Sequence, residues 1–191
     1  MNPRDLGTDT TKLNELRQKL MKDGNILVNY KNEDADDLVR FAKASASNSD
    51  FGTSPENAKN GITYDFKDEN KNRWQAEISK HPELVFTWDK PVEVSQIRLN
   101  LDTGCRMLTQ SEERGIVAKM IAGPQPETLR DFDVISVGAD GTEKVIVSVR
   151  DNYQKLVVIN VEKFETRELK IKCLTTNGDS KASIFEVRAY A

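Results

Sequence analysis

Near Ala44 the spacing of apolar residues changes from helical to alternating, and alternation then recurs in run after run as far as Ala191. A period of two sends successive side chains to opposite faces of an extended strand, so each run can bury one face of a sheet and must expose or cover the other. Leu84, Phe86 and Trp88 alternate with Val85 and Thr87, and Ile97, Leu99 and Leu101 alternate with Arg98, Asn100 and Asp102. Pro91, which cannot donate to a ladder, breaks these two runs apart. Further strands are predicted over 132–137, 144–149, 156–161, 169–174 and 184–190. Asp140-Gly141 and Asn177-Gly178 supply hairpin-type turn signals between them. Strands joined by short turns, with no helical runs between them, point to an all-β sandwich and away from a parallel α/β sheet.

Residues 1–43 follow a different rule. Leu13, Leu16 and Leu20 repeat at helical spacing, Asp9 or Thr11 can cap the start, and Gly24 can end the helix. A second helix is predicted over about 34–43: Glu33, Asp34, Asp36 and Asp37 crowd its N-terminus, Arg40 and Lys43 its C-terminus, and Leu38, Phe41 and Ala42 form its apolar face. The run Ile26 to Val28 reads equally as a strand or a tether. The division is thus a helical appendage over 1–43, packed on the sandwich through Leu13, Leu16, Leu20, Leu38 and Phe41, and a sandwich over 44–191.

Several function classes lose their support here. A net charge of -3, with cations scattered among carboxylates, offers no stripe for a phosphate backbone, so nucleic acid is not an expected partner. No apolar run approaches the roughly 20 residues needed to span a bilayer. Glycine patterns for phosphate cradles, dinucleotide turns or nucleophile elbows are absent. His81, the one histidine, leaves no material for a multi-histidine metal site, and any triad would rest on this single turn residue. Adjacent carboxylates such as Asp36-Asp37 and Glu112-Glu113 are what a chain with 31 acidic residues shows on a solvated surface. Cys105 and Cys173 lack CxxC spacing, and Cys173 alternates with Leu169 and Ile171 as a buried thiol would. No enzymatic activity is expected.

Two long segments, 48–73 and 103–127, do not read as strands, and long loops in compact domains are where ligands are sought. Within them Tyr64, Arg73 and Arg106 combine an aromatic face with fixed guanidinium forks, the groups that hold sugars, and are the candidate ligand residues. The outward strand faces, carrying alternating charges, are expected to leave little room for a concave site. Trp88 is placed in the core, and Trp74 as the anchor of the polar loop that precedes it.

The order of landmarks resembles a known family. Ala44-Ser45-Ala46-Ser47, the turn leading to Asn60-Gly61, Asn72-Arg73-Trp74 and the run ELVFTWDKP over 83–91 resemble the opening of discoidin-like domains, the coagulation factor five/eight type C group. RELKIKCLTT over 167–176 and ASIFEVRAY over 182–190 resemble their closing strands. More narrowly, IRLNLDT, PETLRDFDV and DNYQKLVVINV are similar to the C-terminal module of bacterial FAD-dependent oxidoreductases loosely described as xanthan lyases.

The resemblance implies a galactose-binding-like jelly-roll β-sandwich with a short N-terminal helical appendage. It implies a non-catalytic, carbohydrate-binding-like accessory module of an exported bacterial polysaccharide-processing protein, extracellular or periplasmic. The other reading left open is a structural docking domain that packs on a catalytic domain, such as an FAD-dependent oxidoreductase, or on a partner subunit. No cofactor is expected beyond a structural calcium, which the resemblance would place at Asn60 and Glu186. There an amide stands where many calcium binders carry a carboxylate.

Overall fold

Two strands are long enough to serve both layers of the molecule, and they set its architecture. The computed structural model describes residues 32, 34–65, 72–104, 121 and 123–191. Its strands are β1 (Lys43–Ala46), β2 (Trp74–Glu77), β3 (Glu83–Leu101), β4 (Leu129–Val137), β5 (Glu143–Val149), β6 (Leu156–Thr176) and β7 (Lys181–Tyr190). All pairings are antiparallel. The first half of β3 lies between β1 and the second half of β6, which continues to β4 and β5. The second half of β3 lies between β7 and the first half of β6, with β2 beyond β7. One layer therefore reads β5-β4-β6-β3-β1 and the other β2-β7-β3-β6, two sheets that share a bent pair of strands.

The bends fall where the ladder slips. Thr87 pairs with Glu168 and Val92 with Thr166, so the residues from Trp88 to Pro91 oppose Arg167 alone. A proline is tolerated in such a bulge because no ladder hydrogen bond is asked of it. Pro91 thus bends one strand and does not separate two. Likewise the strands predicted over 156–161 and 169–174 are one strand of 21 residues, β6. A second slip, between Val94 and Gln96, accommodates the turn of β6 into the other layer.

The alternating residues meet between the layers. Leu84, Phe86, Ile97, Leu99, Phe132, Val134, Leu169, Ile171, Ile184 and Val187 are buried in one cluster with Trp74 and Trp88. Cys173 lies in the same core, and burial pushes its thiol pKa well up, as expected of a thiol acting as a small hydrophobe.

Asp140-Gly141 closes the β4–β5 hairpin: Gly141 takes φ 81° and its N–H donates to the Gly138 carbonyl at 3.0 Å. Asn177-Gly178 does something else, for β6 does not pair with β7, and this turn carries the chain from one layer to the other. The Asn177 amide ties it down, donating to the Thr128 and Asn152 carbonyls at 3.2 and 3.0 Å.

The helix predicted over about 34–43 is a single 3-10 turn, Leu38–Phe41, followed at once by β1. Asp37 explains the difference. Its Oδ1 accepts from the Val39 N–H and also from the Ala189 N–H of β7, both at 3.0 Å, while Oδ2 accepts from the Asn32 amide. A side chain committed to backbone groups on two segments competes with helix propagation. In this geometry Val39 and Ala42 are buried, whereas Phe41, predicted to pack on the sandwich, is 66% exposed. The predicted Leu13 to Leu20 helix lies outside the described residues.

Candidate functional site

Period two delivers the residues of the site. Ile97, Leu99, Val187, Ala189 and Ile159 point into the core, so their neighbours on β3, β7 and β6 must face outward. Register then sets them in rows across the three strands: Leu156, Asn100 and Glu186; Val158, Arg98 and Arg188; Asn160, Gln96 and Tyr190. The first two rows, with Leu99 and Thr63, line a shallow hollow of about 380 Å³. Thr63, from the polar loop, forms its rim, and the Lys155 ammonium donates to the Thr63 carbonyl at 3.3 Å.

The two arginines in the middle row differ in what holds them. Arg188 donates to Asp34 Oδ2 at 3.2 Å and to Glu186 Oε1 at 2.8 Å, and the Glu186 hydrogen bond is the main cause of its raised pKa. Asp34 is held below the ordinary carboxylate range by the Tyr190 hydroxyl, which donates at 2.9 Å, then by the Asp36 N–H and the Arg188 charge. Arg98 has no carboxylate partner among the described residues. Its Nε donates to Gln96 Oε1 at 2.6 Å, and its guanidinium carbon lies 4.6 Å from the Tyr190 ring centroid, a cation–π distance. Leu156 and Val158, 51% and 46% exposed, form an aliphatic strip beside it.

The candidates from the loops are dispersed. Arg73 pairs with Asp65 at 3.2 Å and with Asp102, and sits 5.7 Å from the Phe185 ring centroid. It therefore clamps the polar loop to the end of β3. Tyr64 is 43% exposed next to Thr63, and its carbonyl accepts from the Asn72 amide at 3.1 Å. Arg106 lies outside the described residues, as does Cys105. Trp74 is fully buried and its indole N–H reaches the Asn48 carbonyl and Ser49 Oγ at 3.2 and 3.0 Å, so it does anchor the loop.

The two residues named for calcium are each engaged elsewhere. Asn60 Oδ1 accepts from the Ile62 N–H at 2.7 Å, closing the turn before Gly61, and Glu186 holds Arg188. No group of three or more His, Cys, Asp or Glu side chains among the described residues could hold a metal ion. Of the six to eight oxygens that calcium takes, these two side chains would supply one or two each from groups already hydrogen-bonded, and backbone carbonyls would have to supply the rest. His81 is exposed in a left-handed turn, φ 44°, after the 3-10 turn Ile78–Lys80.

Arg98, Asn100, Leu156, Val158 and Arg188 are not among the sequence candidates, and the hollow lies on the outward strand face, where little room for a concave site is expected. One signal did point there. LVVI at 156–159 is apolar on both faces, more than a strand with one buried face requires.

No family model and no curated protein matches the chain. Among solved structures it is similar to the family 32 carbohydrate-binding module of *C. perfringens* NanJ in complex with galactose, at 16% identity and TM-score 0.57 over 80% of this chain and 96% of that one. A *Streptococcus pneumoniae* fucose binding module matches at 17% identity and TM-score 0.60, over 84% and 99%. A chitosan-binding module from a *Paenibacillus* sp. IK-5 chitosanase/glucanase matches at 11% and TM-score 0.61, over 81% and 98%. At these identities the likeness establishes the fold, a galactose-binding-like jelly-roll sandwich.

Proposed function

We propose that this chain is a carbohydrate-binding module without chemistry of its own, serving an exported bacterial polysaccharide-processing protein outside the cytoplasm. The observation that carries the reading is the hollow on the β3–β6–β7 face. It sets amide, guanidinium and carboxylate groups beside an aliphatic strip, the pairing a saccharide needs for its hydroxyls and its C–H faces. The fold-level neighbours add support, being modules that bind galactose, fucose and chitosan. Among the loop candidates, Tyr64 is exposed and adjoins in sequence a residue of the hollow's lining, Thr63.

A docking domain is the second reading, with an FAD-dependent oxidoreductase or other catalytic domain as the partner. Its support is the exposure of Leu156 and Val158, an aliphatic strip that a docked protein surface would cover. A glycan array probed with the whole chain separates the two. Selective retention of a glycan class is expected, and retention of none would overturn the carbohydrate reading in favour of docking.

A further inference from the structure

Among the described residues, Arg98 is the charged group lining the hollow that has no partner of opposite charge. We infer that the hollow selects an acidic saccharide, with Arg98 receiving the carboxylate of a uronic acid residue; this rests on the carbohydrate-binding reading and names its ligand class. The two arginines of the middle row have different duties. Arg188 is pinned between Asp34 and Glu186 and shapes the wall. Arg98 spends its Nε on Gln96, and among the described residues its two Nη groups make no hydrogen bond or ion pair. The Tyr190 ring and Gln96 hold the guanidinium plane from two directions, so the remaining edge is a fork oriented before any ligand arrives. A planar fork of parallel N–H donors matches a carboxylate in bidentate fashion.

The surroundings favour a sugar acid over other anions. The charged residues that line the hollow are Arg98, Arg188 and Glu186, an excess of one positive charge that suits a monoanion better than a phosphate dianion. Among the described residues, Asn100, beside Arg98 in the next row, makes no side-chain hydrogen bond, and Glu186 Oε2 has no donor. These groups can serve ring hydroxyls while Leu156 and Val158 pack against ring carbons. The volume, about 380 Å³, falls at the small end of the range for small-molecule sites, room for a short stretch of glycan.

The test is titration calorimetry of the whole chain with tetragalacturonate, its methyl ester, neutral galactotetraose and inorganic phosphate. Tetragalacturonate should bind, esterification should weaken it tenfold or more, and rising salt should weaken the acid but not the neutral sugar. Arg98→Gln should lose tenfold or more for the acid alone, with Arg98→Lys between it and the unaltered protein because the charge stays and the fork goes. Equal affinity for the acid and its ester, or an undiminished R98Q, would overturn the acidic-ligand inference while leaving carbohydrate binding intact. Tighter binding of phosphate than of the uronate would overturn it as well. Binding of no saccharide at all would remove both readings together. Should R98Q fail to fold, the comparison of acid with ester on the unaltered chain decides the matter.

Discussion

Replacing Asp37 by alanine should cost about 3 kcal/mol of stability, because one carboxylate serves three donors on two parts of the chain. The Val39 and Ala189 N–H groups, each 3.0 Å from Oδ1, lie in the core and would be left without an acceptor. An orphaned buried donor costs about 1–3 kcal/mol, and loss of a cap about 0.5–2 kcal/mol. Against this stands the desolvation of the carboxylate itself, the main reason its pKa is raised, which alanine would relieve. The net, about 3 kcal/mol, is a large share of the 5–15 kcal/mol by which domains are usually stable. Asp37→Asn keeps an oxygen for both N–H groups but sets its amide against that of Asn32, and should cost about 1 kcal/mol.

Urea unfolding followed by tryptophan fluorescence reads this directly, since the Trp88 indole donates to the Leu38 carbonyl at 2.8 Å and so senses the same segment. The pH dependence has a definite sign. A folded pKa raised above the unfolded one means the folded state holds the proton more tightly. Asp37 therefore adds stability that is full below the ordinary carboxylate pKa and is lost as pH rises through the raised value. The unaltered protein should gain on D37N as the solution is acidified across that window. An alanine variant with an unchanged midpoint, or an asparagine variant as damaged as the alanine one, would refute the reasoning.

Trp74→Phe removes the indole N–H that holds Asn48 and Ser49, and should lower stability by about 1–2 kcal/mol in the same assay. An unchanged midpoint would show that packing alone anchors the loop. Gly104 has φ 61° and its missing Cβ would meet the Glu127 carboxylate, whereas Gly141, φ 81°, faces open space. Both positions strain an L side chain, and the Glu127 carboxylate is the far end of a flexible side chain that can swing aside, so Gly104→Ala and Gly141→Ala should lower the thermal midpoint by similar amounts; a much larger loss at Gly104 that Glu127→Ala abolishes would refute this. Calcium at about 100 times the Kd of a filled site would add about 2.7 kcal/mol. With Asn60 and Glu186 engaged, neither calcium nor EDTA should move the unfolding midpoint, and a rise with calcium would revive the metal site.

The core could be read from the chain because alternation is a local property. Ile97, Leu99 and Leu101 announce their buried face whatever strand lies beside them. β1 and β2 gave no such notice: KASA and WQAE are four residues each, too short for a period, and become strands only because β3 and β7 offer edges to pair with. The turn at Leu38–Phe41 departs from the predicted helix for a related reason, since acidic residues before an apolar run resemble a helix start until a distant N–H, that of Ala189, claims the carboxylate. The hollow is the least legible feature. Arg98 and Arg188 are neighbours only through the β3–β7 register, which follows from the slip between Asn100 and Leu101 and from the bends of β3. Of its members, the doubly apolar run at 156–159 alone carried a trace in the sequence.

The residues of the hollow and those of the core are threaded on the same stretch of β3, turn and turn about. This makes the surface free to vary in one way and rigid in another. Exchanging Arg98 or Asn100 for other side chains leaves Ile97, Leu99 and Leu101 where they are, so new ligand preferences can arise by single substitutions. Inserting or deleting one residue there would exchange the two faces, sending a guanidinium inward and leucines out. A lineage built on this fold would diversify its ligands at constant length between 96 and 101, and keep its length changes for the loops.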